Sequence, residues 1–429
     1  MKLPQKLGLD VVVDRHTGNL VTLEVNGVFS GYQGLKALGR DLMPDIINII
    51  GTCFENQRIL VNPCIHEFYG EAITSGDLKD LKKYYNIDVV YSPLTPKPLP
   101  QYLLETVLGS FDRFDGIIGF GEYLTKSNCQ SRMINSPAVE LLTQNKFLQY
   151  HLLKNIPPLN MPETVLIDGF VHLPVTAALV EKYGKLVHKP LDGSQGNGIR
   201  IFTNKNFQHY KEFIEEYLES SQEEHKYISY LQTIKSIQLL VEQQMEDKLK
   251  SIILSITSLD GKGEENVNRS FHPDAELGQE MEKSYIVLTE RHEERESEID
   301  DFLRQRLKNN AVLLQKCVET LPVIAEDTAQ PHYACARLIW FGDYLGGYWK
   351  LSAKPIDADD ERNAIVNYST AKKAQRFTTE ENNIFRRYAK EIVPQILETV
   401  EPFETNEKMY KTILFNEFKN SLLRNPKLF

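Results

Sequence analysis

Between Phe54 and Asn135 the sequence alternates short apolar runs with amphipathic stretches: "QRILVNP", "GDLKDLKKYY", "IDVVYSP", "PQYLLETVLGSF" and "DGIIGFG". The apolar runs have the length and composition of buried strands, and the segments between them have helical periodicity. Strand and helix in alternation predict a small α/β unit with a mostly parallel sheet. This unit cannot account for the whole chain of 429 residues, which is long enough for two or three structural units.

Ahead of the α/β unit, "LDVVVD", "RHTGN" and "LVTLEVN" predict a β-hairpin with Asp14 in its turn. After the unit, "SPAVELLTQNKFLQYHLLKN" carries helical periodicity up to the stop "IPP". A strand-rich region follows in "ETVLI", "KLVHKP", "GIRIF" and "SIQLLVEQQ", with the helix "NFQHYKEFIEEYLES" before the last strand. Residues 247–331 are charge-dense, and "HEERESEIDDFLRQRLKNNAVLLQKCVETL" predicts one long helix, acidic early and basic late as the macrodipole prefers. From His332, "YACARLIWFG", "GGYWKLSAKP" and "IVNYS" read as strands, and "TTEENNIFRRYAKEIVPQILETV" as a helix opened by a capping box.

Composition excludes several classes. A net charge of −10 opposes general binding to nucleic acid or anionic membranes, while leaving room for a locally basic pocket. No apolar run reaches membrane-spanning length, and "MKLPQKLGLD" lacks a signal-peptide core. The cysteines Cys53, Cys64, Cys129, Cys317 and Cys335 form no Cys-x-x-Cys pair and read as reduced thiols in a cytoplasm.

Chemistry concentrates in "VHKPLDGSQGNGIRIF". Lys189 ends a strand, and Ser194, Gln195, Gly196, Asn197 and Gly198 follow in a loop bare enough for backbone N–H groups to approach phosphate oxygens. No Gly-Lys-Ser/Thr ends the loop and a strand follows it, so it is neither a Walker A loop nor a dinucleotide fingerprint. His188 alternates to the other strand face and reads as packing; His66 and Glu67, after a predicted strand of the α/β unit, read as candidate substrate contacts.

The order "NKF", "PPLNMPETVLI", "VHKPLDGSQGNGIRIF", helix and "LLVEQQM" resembles the nucleotide-binding lobe of the ATP-grasp superfamily, with bacterial glutathione synthetases the nearest pattern. The resemblance implies two β-rich lobes sandwiching ATP, beside a small α/β pre-ATP-grasp domain. It implies Lys146, Lys189 and the Ser194–Gly198 loop on the phosphates, and Glu242, Gln243 and Gln244 at adenine with Glu246 or Asp247 at the ribose. "VIAEDTAQ", 323–330, is the rival adenine segment. It further implies Arg337, Lys350, Arg362 and Asn367 around the triphosphate or an acyl phosphate. Lys350 stands where arginine is commoner in the family, which keeps the charge without the bidentate fork.

Such an enzyme needs magnesium-binding carboxylates, usually a strand Asp and a Glu-x-Asn near its C-terminus. The C-terminal "EPFETNEKMYKTILFNEFKNSLLRNPKLF" has no such strand, whereas the first hairpin has Asp10, Glu24 and Asn26. Glu24 and Asn26 are two apart and point to the same side of a strand, and hard oxygen donors suit Mg2+, with Mn2+ an alternative. The expected architecture is therefore an α+β, partly α/β, circularly permuted ATP-grasp fold. Residues 1–45 supply the metal hairpin, 46–140 the α/β domain and 141–246 the phosphate-loop lobe. Residues 247–331 form a charged helical insertion and 332–429 the second lobe.

The expected activity is an ATP- and Mg2+-dependent ligase joining a small-molecule or peptide carboxylate to an amine, or to a thiol, through an acyl phosphate. An ATP-grasp kinase for a hydroxylated substrate such as an inositol phosphate is the second expectation, and a non-catalytic ATP-binding regulator the third. No nucleic acid or membrane partner is expected, a cytoplasmic location is, and a homodimer is left open.

Overall fold

The computed structural model describes residues 3–27, 31–61, 75–91, 113–118, 133–168, 173–191, 199–208, 212, 301, 303–304, 307, 311–356, 373–403 and 407–423. The N-terminal hairpin pairs β1 (Lys6–Val13) with β2 (Leu20–Asn26). Next come β3 (Arg58–Val61), β4 (Asp88–Tyr91), β5 (Gly116–Ile118) and β6 (Met133–Ile134), a parallel sheet in the order β4-β3-β5-β6. A second four-stranded sheet, in the order β7-β10-β8-β9, holds β7 (Thr164–Asp168), β8 (Lys185–Pro190), β9 (Arg200–Thr203) and β10 (Ala311–Lys316). The short β11 (Val323–Ile324) and β12 (Pro331–His332) pair with each other. Finally, β13 (Ala334–Phe341), β14 (Asp343–Leu351) and β15 (Ala374–Arg376) join the first hairpin in a five-stranded sheet, β15-β14-β13-β1-β2. The fold is thus a mixed α/β arrangement with several sheets.

The chain divides into two compact units. The first comprises Met1–Leu166, Leu179–Lys205 and Val312–Leu414, and the second Ile167–Ala178, Asn206–Ala311 and Phe415–Phe429. In the second, the Arg304 guanidinium lies 4.2 Å from the centre of the Phe415 ring. Asp10, Glu24, Asn26, Lys146, Lys189, Arg337 and Lys350 all belong to the first.

Strand alternation explains how the five-stranded sheet is covered. Leu7, Leu9 and Val11 of β1, Val25 of β2, Ala336 and Leu338 of β13 and Trp349 of β14 point to one face. There they pack against Phe385, Ala389, Ile392, Val393 and Ile396 of the Thr379–Val400 helix. The opposite face carries Ile339, Phe341 and Tyr348, which cluster with Ile46, Ile50, Ile59 and Val61 near the parallel sheet. Covered on both faces, β1 is buried along nearly its whole length. That is why its apolar run is denser than simple alternation.

The Thr379–Val400 helix begins with the expected box: the Thr378 hydroxyl accepts from Glu381 N–H at 3.2 Å, and the Glu381 carboxylate accepts from Thr378 N–H at 2.8 Å. Glu381 also accepts from the Trp349 indole N–H at 3.2 Å, tying the helix start to β14. Thr378→Ala should therefore cost about 1 kcal/mol, read as a lowered urea midpoint. A variant with unchanged midpoint would show that the packed face alone holds the helix.

Three elements differ from the sequence expectation. The periodic stretch 136–155 is two helices, Pro137–Gln144 and Lys146–Leu153, because Asn145 is extended and its side chain caps the second by accepting from Leu148 N–H at 3.0 Å. The expected long helix before Leu321 does not extend through β10, which pairs antiparallel with β8 from Val312↔Pro190 to Lys316↔Leu186. "AVLLQK" is too short for periodicity to separate strand from helix, and the exposed edge of β8 decides. A helix, Leu173–Tyr183, that the sequence reading had not marked runs between β7 and β8. Among the described residues no helix is long and apolar enough to cross a membrane.

Candidate functional site

The pleat of the five-stranded sheet sets charges in a row. Glu24 on β2 pairs with Asp10 on β1, Asp10 with Arg337 on β13, and Arg337 with Tyr348 on β14. Directly opposed residues share a face, so these four side chains rise from one side of the sheet. Lys350, two residues beyond Tyr348, rises there as well. So does Asn26, paired with Gly8 two residues before Asp10. Immediately beside Asp10 the register slips: Val11 pairs with Thr22, leaving Leu23 as the extra residue of a bulge.

Asp10 is the hub. The Arg337 guanidinium donates from Nε to Oδ1 at 2.7 Å and from Nη2 to Oδ2 at 3.0 Å, a two-point fork, and Lys350 Nζ lies 2.7 Å from Oδ1. All three groups are buried. Burial alone would raise the Asp10 pKa, but the Arg337 and Lys350 charges and hydrogen bonds outweigh it and hold the carboxyl at about 2. Burial alone would likewise lower the pKa of Arg337, and Asp10 reverses that. Gly31, at φ +97°, lets the chain pass this cluster, since a Cβ there would stand 2.6 Å from Arg337 Cγ.

Two lysines from other segments face the same carboxylates. Lys146, the first residue of its helix, holds Nζ 3.6 Å from Glu24 Oε1. Lys189, on β8 opposite Leu313 of β10, is buried, and that burial drives its pKa down. Glu24 and Asp10 pull it back up while Lys146 pushes it further down, so all three lie within electrostatic reach of Lys189. Cys335 is buried beside the same charges, its thiol pushed up to about 12 by burial, with the nearby Lys350 opposing. It is an inert packing group at neutral pH.

Asp10 and Glu24 against Arg337, Lys350, Lys146 and Lys189 leave an excess of positive charge. Such a cluster attracts anions, and a polyanion arriving there would raise the Lys189 pKa again. The oxygen-bearing side chains on this face that could hold a divalent cation are Asp10, its cross-strand partner Glu24, and Asn26, whose Nδ2 stands 3.5 Å from Asp10 Oδ2. Turning the Asn26 amide over would present its oxygen at that point. The cation would compete with Arg337 and Lys350 for Asp10. Among the described residues no group of three or more His, Cys, Asp and Glu side chains is placed to hold a metal.

The structure thus brings together Asp10, Glu24, Asn26, Lys146, Lys189, Arg337 and Lys350. Ser194, Gln195, Gly196, Asn197, Gly198, Glu242, Gln243, Gln244, Asp247, Arg362, Asn367, His66 and Glu67 lie outside the described residues. His188, on the opposite face of β8 from Lys189, is buried with its ring edge-on to Phe202. The rival adenine segment, 323–330, holds β11 and the loop that leads to β12. Sequence reasoning missed β10; Cys317, just past its end, lies near enough for Lys189 to act on its thiol. It also missed Gln149 and Asn135, buried amides with nothing in their local sequence to mark them.

No known family profile matches the chain, and no curated protein sequence does. Among solved structures the chain is similar to one described as "Putative gamma-glutamylcysteine synthetase", from Methylobacillus flagellatus KT, at 13% identity and a TM-score of 0.41, over 95% of this chain and 90% of that one. At that level of likeness the functional reading rests on the site's own residues.

Proposed function

We propose that the chain is an ATP-dependent ligase of circularly permuted ATP-grasp architecture, which joins a carboxylate to an amine through an acyl phosphate. The observation that carries the proposal is the row Glu24, Asp10, Arg337 across β2, β1 and β13, with Lys350, Lys146 and Lys189 gathered around it. The first hairpin completes the sheet built by residues 334–376. This is the pairing that a hairpin moved from the end of the chain to its beginning requires.

In this reading Lys146 and Lys189 bind the nucleotide phosphates, and the Ser194–Gly198 loop closes over them. Mg2+ or Mn2+, held by Asp10, Glu24 and Asn26, would offset phosphate charge. Arg337 and Lys350 orient the γ-phosphoryl group toward the substrate carboxylate, whose oxygen takes it as ADP leaves. Arg362 and Asn367 steady the resulting acyl phosphate. The amine then attacks the carbonyl carbon, and inorganic phosphate departs with the former carboxylate oxygen. Fixed cations aimed at transferring oxygens supply most of the acceleration in such chemistry. The substrates are a small or peptide carboxylate and an amine, the location cytoplasmic, and the working form a monomer or homodimer.

The test is an ADP-release assay against pools of amino acids, short peptides and metabolites, with product masses measured. A product equal in mass to two substrates less water supports ligation, and a phosphorylated alcohol rejects it in favour of a kinase. Glu24→Ala should abolish ADP release while the protein stays folded. Full activity of that variant at limiting Mg2+ would reject the permuted metal hairpin.

A further inference from the structure

Two buried amides hold the first hairpin from outside its own sheet. Asn135 Oδ1 accepts Lys6 N–H at 2.6 Å while its Nδ2 donates to Lys6 C=O at 2.9 Å. Gln149 Oε1 accepts Val25 N–H at 2.8 Å while its Nε2 donates to Val25 C=O at 2.8 Å and to Thr143 C=O at 3.1 Å. Each amide does for one residue what an adjacent strand would do. The second grip matters more for the site. β2 is an edge strand, so the outward N–H and C=O of Val25 have no strand to pair with. Val25 lies between Glu24 and Asn26, and Gln149 lies on the same helix as Lys146, three residues on.

We propose that Gln149 is a positioning residue: its grip on Val25 sets the register between β2 and the Lys146–Leu153 helix, and thereby the meeting of Glu24 with Lys146. This extends the nucleotide reading, because that pair borders the phosphate-binding cluster. Asn135 grips the hairpin with the same chemistry at Lys6, four residues before Asp10, and supplies the control. The two bonds to Val25 align β2 and the helix more sharply than apolar packing does, because packing tolerates sliding more readily than paired hydrogen bonds.

The test labels surface amines in the full chain with an acylating reagent and measures Lys146 modification by peptide mass spectrometry, with the exposed Lys182 as reference. Gln149→Met keeps the shape and loses both bonds; Lys146 labelling should rise about fivefold, the effect of losing roughly one net hydrogen bond. Asn135→Leu should leave Lys146 labelling unchanged. Gln149→Asn keeps the amide but stops one methylene short of Val25, so its rise should be intermediate, and it decides the matter if Gln149→Met does not fold. Unchanged Lys146 labelling in the folded Gln149 variant, or an equal rise in Asn135→Leu, overturns the proposal. Mg-ATP titration of the same proteins separates the two ideas: a wild type that binds no ATP ends the nucleotide reading, while the labelling still decides for or against Gln149.

Discussion

Asp10→Ala should lower the unfolding free energy of the protein by about 3–5 kcal/mol in metal-free buffer, the usual cost of removing one partner from a buried ion cluster. The reason is what remains. Arg337 and Lys350 are both buried and both point at Asp10, from 2.7 Å on the same oxygen, so its loss leaves two cations facing each other without water. The pH dependence has a definite sign. A carboxyl whose folded pKa of about 2 lies below its ordinary 3.8 contributes its stabilisation fully above that ordinary value, and loses it as pH falls toward 2. The fall corresponds to about 2 kcal/mol, less than the cost of the alanine variant because a neutral carboxyl still accepts hydrogen bonds. Urea unfolding of wild type and Asp10→Ala should therefore differ most at pH 5 and converge by roughly 1–2 kcal/mol on acidification to pH 2.5. A difference that stays constant over that range would mean that folding does not lower the Asp10 pKa.

Lys189→Met should separate folding from ligand binding. Lys189 is buried on β8, and burial disfavours its charge even with Glu24 and Asp10 nearby. Methionine fills similar space without a charge to desolvate, so the thermal midpoint should hold or rise. Mg-ATP affinity should fall about tenfold to a hundredfold, the loss expected for a charged donor worth roughly 1.5–3 kcal/mol. Calorimetric titration and a thermal melt of the same sample decide it. A variant that melts much earlier and binds ATP as tightly as wild type would make Lys189 a structural lysine, and the phosphate assignment would fall with it.

Much of the architecture was legible in local pattern. The turn "RHTGN" between two alternating runs predicts the hairpin, and Asp14 indeed sits in that turn, accepting N–H groups of His16 at 2.7 Å and Thr17 at 3.0 Å. Thr378 and Glu381 at capping-box spacing predict where the long helix starts, and both bonds form. β10 was not legible, because six residues of mostly apolar character suit either element and its partner β8 lies more than a hundred residues earlier. The helix break at Asn145 was hidden for a related reason: apolar periodicity runs on past it, while the cap bond to Leu148 depends on one backbone angle.

The charged residues of the candidate site could be named one by one chiefly through the family resemblance, since a lone lysine or carboxylate in a strand carries no local mark of its role. Their company could not. Asp10 meets Arg337 across 327 positions of sequence, and Gln149 reaches Val25 across 124. The sequence by itself determined which segments pleat, which coil, and which side of each strand carries charge, since period and side-chain chemistry are local properties. Only the tertiary structure decided that the first hairpin sits beside β13, with its carboxylates opposite Arg337 and near Lys189. Pairing between distant strands depends on which edges remain open and which faces must be covered, and that is a property of the whole chain.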